Sequence, residues 1–129
     1  MRMVIDTNII VSALLSPNGA AYQVLSDVLD GKYEVFVSEE IFQEYVDVLH
    51  REKFGFNEDI IVYLLDWFRN NAVWVEVTKS DMPMPDEKDR EFFDVARSCR
   101  ARLLTGNIKH YPVDELVTAL EELVPPGSR

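Results

Sequence analysis

Two observations predict an α/β fold. Met3, Val4 and Ile5 form a short apolar run of the kind that makes a buried strand. Along the chain, such runs alternate with stretches whose apolar residues recur at helical spacing. Strands separated by helices require right-handed crossovers, which give a parallel sheet with helices on both faces. The first strand, 3–5, ends at the polar trio Asp6, Thr7 and Asn8. Helices over 8–15 and 20–29 follow, parted by the turn Ser16, Pro17, Asn18, Gly19 and ended near Gly31. A second strand occupies 33–37. Ser38 is placed to cap a helix with Glu39 and Glu40 in its first turn, where the helix dipole favours acids. Ile41, Phe42, Tyr45, Val48 and Leu49 carry that helix to about 52. After Asn57, the residues Ile60, Ile61, Leu64, Leu65 and Phe68 repeat at helical spacing, and Asn70 and Asn71 lead into a third strand at 72–77. Residues 78–87, with Pro83 and Pro85, read as a loop. A helix over 88–100, a fourth strand at 102–105 and a final helix near 114–123 complete a single domain spanning 1–124, with 125–129 as a flexible tail.

Composition narrows the function classes. The 129 residues, 47% of them hydrophobic, suffice for one well-buried domain. No signal-peptide layout or bilayer-length apolar run is present, which leads to the expectation of a soluble cytoplasmic protein. Cys99, the single cysteine, has no internal disulfide partner and reads as a small core residue. Thirteen basic against 23 acidic residues give a net charge of −10, which repels phosphate backbones and argues against a simple electrostatic nucleic-acid binder. One stretch runs the other way: 96–112 holds no acid and contains Arg97, Arg100, Arg102, Lys109 and His110, either a local positive patch or a scattered solvated surface. No glycine-rich phosphate loop occurs, so a nucleotide cofactor is unsupported.

Three acids stand out. Asp6 lies where the first strand emerges, and ligands of open α/β sheets bind outside the carboxyl ends of the strands; its competing role is to cap the next helix. Asp89 extends the core stripe Phe92, Ala96, Cys99 back by three residues, so an acid occupies a core-side position; its competing role is in a capping box with Asp86. Glu44 sits one turn from both Ile41 and Val48, on the border between buried and solvated faces. Carboxylates gathered in a partly dry cleft raise one another's pKa unless a divalent cation neutralises them, and oxygen-only ligation suits magnesium or manganese.

The segments VIDTNIIVSALL, SEEIFQEYVDVL, PDEKDREFFDVA and LLTGNIKHYP, in this order and spanning nearly the whole domain, resemble those of PIN domains, a family of metal-dependent nucleases that includes toxins of toxin-antitoxin systems. The resemblance implies a three-layer α/β/α sandwich around a mostly parallel sheet, and hydrolysis of RNA with Mg2+ or Mn2+. It places the family's acids on Asp6, Glu44 and Asp89, with Asn8 and Thr105 as supporting polar neighbours. Where many members carry a fourth acid, this chain has Asn107, then His110; Asn can ligate only through a neutral carbonyl, which weakens a second cation position.

The resemblance further implies an RNA substrate and an antitoxin partner. Arg97, Arg100, Lys109 and His110 are the candidate backbone contacts for RNA. Residues 7–26 carry no charged side chain, so their helices supply either core packing or an apolar surface for a homodimer or antitoxin. Two other readings stay open. A receiver-like phosphoacceptor domain would use Thr105 and Lys109, although the paired acids after the first strand are missing; a catalytically degenerate binding module finds its support in Asn107.

Overall fold

The computed structural model of the protein describes residues 1–125; the tail expected at 125–129 lies outside the described residues beyond Pro125. Its strands are β1 (Arg2–Ile5), β2 (Glu34–Val37), β3 (Val73–Trp74), β4 (Arg102–Thr105) and β5 (Val117–Ala119). They form one sheet in the order β3-β2-β1-β4-β5, and every pairing is parallel. Helices α1 (Thr7–Leu15), α2 (Ala20–Leu29), α3 (Glu39–Leu49), α4 (Glu58–Asn71), α5 (Arg90–Cys99) and the short α6 (Leu120–Leu123) flank it. Central β1 carries Met3, Val4 and Ile5, all fully buried, because helices cover both faces.

Local signals account for most of these elements. The Ser38 hydroxyl accepts the Ile41 amide at 3.2 Å and starts α3, and Asn57 accepts the Asp59 amide at 2.8 Å and starts α4. The α3 stripe Ile41, Phe42, Tyr45, Val48 and Leu49 is buried as its spacing predicts. On α4, Ile61, Leu64, Leu65 and Phe68 face the core while Ile60 remains exposed. In α1 and α2, Ile9, Ile10, Ala13, Val24, Leu25 and Val28 belong to the core, so most of the uncharged stretch is packing; Leu15 and Tyr22 stay exposed.

Four elements depart from the sequence reading by more than a single residue. The final helix over 114–123 is instead β5 followed by one turn of α6, because the open edge of β4 pairs Leu103 with Val117 and Leu104 with Thr118. β-branched residues beside an unpaired strand outweigh an ambiguous helical spacing. The third strand is only Val73–Trp74, extended by the Val75 amide donating to the Val37 carbonyl at 2.9 Å; it is the sheet edge, with no second strand to hold 76–77. Helix α3 stops at Leu49, short of 52, and α5 begins after a 3-10 turn, Glu87–Asp89.

The long connection from β3 to α5 is fixed by buried polar groups. Arg90 pairs with Glu87 and donates to the Ser80 carbonyl at 2.8 Å, while Asp94 accepts the Ser80 amide at 2.9 Å and its hydroxyl at 2.5 Å. Arg90 and Asp94 are both buried, and these bonds offset their desolvation. No helix among the described residues is long and apolar enough to cross a membrane.

Tyr45 anchors α3 to the sheet. Its fully buried hydroxyl donates to the Ile5 carbonyl at 2.5 Å, at the residue before Asp6. Tyr45→Phe is expected to lower unfolding free energy by roughly 1–2 kcal/mol, the cost of removing a buried donor. Denaturant melts of the two proteins check this, and an unchanged midpoint would assign the anchoring to ring packing alone.

Candidate metal centre

β1 delivers Asp6 to the carboxyl end of the sheet, where the chain turns into α1. Its Oδ1 accepts the Asn8 amide at 3.2 Å, so the capping role expected as an alternative is present. Its Oδ2 is held separately, by the Thr105 hydroxyl at 2.9 Å and the Tyr111 hydroxyl at 2.7 Å. Cap and site residue are two ends of one carboxylate. Burial, with the Asp6 charge next, pushes the Tyr111 phenol far above its ordinary range, so it remains a donor.

Thr105, fully buried at the end of β4, links several groups. Its Oγ1 also accepts the Asn107 amide at 3.1 Å and the Asn8 side-chain amide at 3.4 Å. The Gly106 amide donates to the Asn8 side-chain Oδ1 at 3.1 Å, which ties α1 to the loop after β4. The Asn107 side chain accepts the Lys109 amide at 3.1 Å and so caps the 3-10 turn Ile108–His110.

Glu44 is half-buried on α3 and accepts the Thr7 hydroxyl. Burial raises its carboxyl pKa, the Thr7 hydrogen bond opposes the rise, the Asp6 charge adds to it and Arg51 opposes it. Asp89 closes the 3-10 turn before α5, and its side chain makes no capping bond; Asp86 supplies the cap instead, accepting the Lys88 amide at 3.0 Å. Burial, then Asp6, then Asp86 push the Asp89 carboxyl up to about 6; His110 opposes the rise, and Glu44 adds to it. The His110 Nδ1 lies 3.8 Å from the Asp89 carboxylate.

Glu91 belongs to the same acidic surround and was not singled out by the sequence. Burial, then Glu44, Glu40 and Asp89, push its carboxyl up to about 7. No local signal marks it, since it precedes Phe92 without sharing the core stripe. Tyr111 was also missed as a site residue; its signal is a large aromatic at the end of the last quoted segment, before Pro112.

The other candidates divide by position. Lys109 and His110 lie in the turn after β4, and His110 faces Asp89. Arg97 and Arg100 do not join the acids. Arg97, in the last turn of α5, contacts the Met82 sulfur and faces Asp114 at 3.9 Å. Arg100 follows the helix in a left-handed conformation, φ 52°, and a rise of about 1.5 Å per residue puts it roughly 15 Å from the Asp89 end. Among the described residues, no group of three or more His, Cys, Asp or Glu side chains stands close enough to hold a metal ion.

The family model described as "PIN domain" matches residues 2–109. An uncharacterised protein of Methanocaldococcus jannaschii is 30% identical over 111 residues, covering 83% of this chain and 71% of the relative. No solved structure matches the chain. The family match begins at β1 and runs through the turn containing Lys109, taking in Asp6, Glu44 and Asp89, and the chain belongs to the PIN domain family, a family of nucleases often found as toxins.

Proposed function

We propose that the protein is a metal-dependent endoribonuclease, acting as the toxin of a toxin-antitoxin pair, with Asp6, Glu44 and Asp89 as ligands for Mg2+ or Mn2+. The observation that carries this reading is the family match over residues 2–109; in its support, burial raises the carboxyl pKa of both Glu44 and Asp89, and the Asp6 charge adds to each rise. PIN domains generally bind these ions, and the donor set fits, being anionic, hard and all oxygen. A bound cation would lower the pKa of a water and offset charge on the scissile phosphate.

The chain's own groups perform the remaining tasks. Thr105 and Tyr111 fix the Asp6 carboxylate in one orientation, and Thr7 does the same for Glu44. His110 stands beside Asp89, with Nδ1 3.8 Å from the carboxylate. Asn107 is occupied as a cap, which favours a three-acid site with one cation. The receiver-like alternative is disfavoured because the Thr105 hydroxyl is committed to Asp6.

Asp6→Asn and Asp89→Asn are expected to reduce cleavage of an RNA panel by more than the roughly 10–100-fold that loss of a supporting group costs a metal site. Induction of the native protein should arrest growth, and induction of either variant should not. Cleavage retained by both variants would remove the proposed ligands.

A second expectation concerns pH. Folded Asp89 titrates at about 6 against an ordinary 3.8, and Glu91 at about 7 against 4.5. The folded state therefore binds protons more tightly than the unfolded one, so metal-free stability should fall as pH rises from 4 to 7. Asp89→Asn should melt higher than the native protein at the top of that window and lose its advantage at the bottom. Added Mn2+ should restore the native melting temperature at neutral pH, since ligands that bind only the folded state stabilise it. Melts independent of both pH and Mn2+ would contradict the crowded-acid reading.

A further inference from the structure

A groove of about 370 Å³ runs between α1 and the segment that follows α3. Its size falls in the range of pockets that take a small ligand, roughly 300–1,000 Å³. Asn8, Val11, Ser12 and Leu15 line its α1 side, and their spacing puts them on one face of the helix. Val48, Arg51 and Phe54 line the other side. The near end is Asn8, whose side chain is bonded to Thr105 and Gly106, and Thr105 in turn holds Asp6. From there the lined face of α1 leads away from Asp6, roughly 10 Å to Leu15 at about 1.5 Å per residue.

The lining suits a flat heterocycle joined to an anion. Leu15 is exposed and Val11 and Phe54 are half-buried, so apolar surface stays open along the groove, with the Ser12 and Ser16 hydroxyls beside it as donors and acceptors. Phe54 stacks on Phe56, ring centres 5.2 Å apart and planes 11° from parallel, and the Lys53 ammonium lies 5.1 Å from the Phe54 ring centre. A ring held this way, with cations at hand for the backbone, is how proteins grip single strands. Among the described residues no carboxylate lines the groove. By contrast, the larger cavity that shares Val48 and Arg51 with it is lined by Glu40, Glu44, Asp47, Glu87, Glu91 and Asp94. In a chain of net charge −10, an anionic strand meets less repulsion along α1 than through that cavity. Arg51 stands at the boundary, close enough to Glu44 to lower its carboxyl pKa.

We infer that this groove is the subsite for the base of a nucleotide adjoining the scissile phosphate, the base lying against Phe54 and Leu15 and Arg51 meeting the backbone. The inference rests on the ribonuclease reading for its substrate, single-stranded RNA. It makes Phe54 a residue that sets where the strand sits relative to Asp6, and it gives the uncharged face of α1 a task besides packing. An aliphatic side chain from a partner protein would match Val11 and Leu15 but not Arg51 and the two hydroxyls, which favours the base.

The test compares binding of a short single-stranded RNA with binding of the same ribose-phosphate chain lacking its bases, by the Asp89→Asn protein in Mg2+ so that the strand stays intact. The complete RNA should bind more tightly, and Phe54→Ala should cut that preference by about fivefold or more, the effect of losing one stacked base. Phe54→Tyr should retain it. Ser12→Trp fills the groove from an exposed position and should act like Phe54→Ala without disturbing the Phe54 segment; thermal melts of each variant check the fold. Equal affinity for the two strands, or a preference that survives both Phe54→Ala and Ser12→Trp, would overturn the subsite while leaving RNA cleavage by the native protein to stand. A dimer that Ser12→Trp dissociates with the preference unchanged would give the groove to a second copy and overturn the base. A preference lost in both variants of a protein whose native form cleaves no RNA would support the subsite and remove the nuclease reading. RNA bound by neither the Asp89→Asn protein nor the native one would overturn both.

Discussion

A buried carboxylate at the end of the central strand organises this end of the molecule. Asp6 is 5% exposed, and a charge so placed is tolerated only if its oxygens are satisfied. Its partners come from three places in the chain: the first turn of α1, the end of β4, and the segment after the 3-10 turn. To meet them, β4 must lie beside β1 in one register, Ile5 opposite Leu104, and the following loop must fold back so that Tyr111 reaches the same oxygen as Thr105. Satisfying one ion thereby sets the geometry of the whole carboxyl edge.

The other two acids are registered against Asp6 indirectly. Tyr45 bonds the carbonyl of the residue before Asp6, and Glu44, its neighbour in sequence, meets Thr7, the residue after Asp6. Consecutive residues of α3 therefore grip both sides of the same strand end. Asp89 is placed by a different route: Arg90 and Asp94 bind Ser80 and so clamp the start of α5 to the connection in front of it. Each clamp uses neighbours of an acid, leaving Asp89 itself without a donor. On the proposed reading, this leaves the Asp89 carboxylate available to an incoming cation in rigid surroundings.

The parts legible in the sequence are those governed by local periodicity and caps. The α3 stripe, the Ser38 and Asn57 caps and the buried run Met3, Val4, Ile5 depend on neighbours within a turn or a strand, and each is visible without a fold. β5 was not legible because its strand character comes from β4, the partner it pairs with, and 114–123 fits a helix equally well by spacing. Glu91, Arg90 and Asp94 were missed for a related reason. They look like the solvated face of a helix, yet α5 is covered around most of its circumference, and only the packed structure reveals that these charges are shielded. Strand-end position and helical spacing singled out Asp6, Asp89 and Glu44, and the family resemblance joined them; neither could supply Tyr111, whose role depends on where a loop after β4 returns.

The ordering of Asp6's partners along the chain affects biosynthesis. Thr105 and Tyr111 lie 99 and 105 residues downstream of Asp6. At roughly 5–20 residues per second, a ribosome takes several seconds to reach them after making β1. Throughout that interval β1 has no β4 beside it, and Asp6 has only its local contact with Asn8. An unfinished nascent chain thus carries every candidate acid before it has the two hydroxyls that orient the first of them. Whatever chemistry this edge performs is withheld, by topology alone, until the chain has been made through Tyr111.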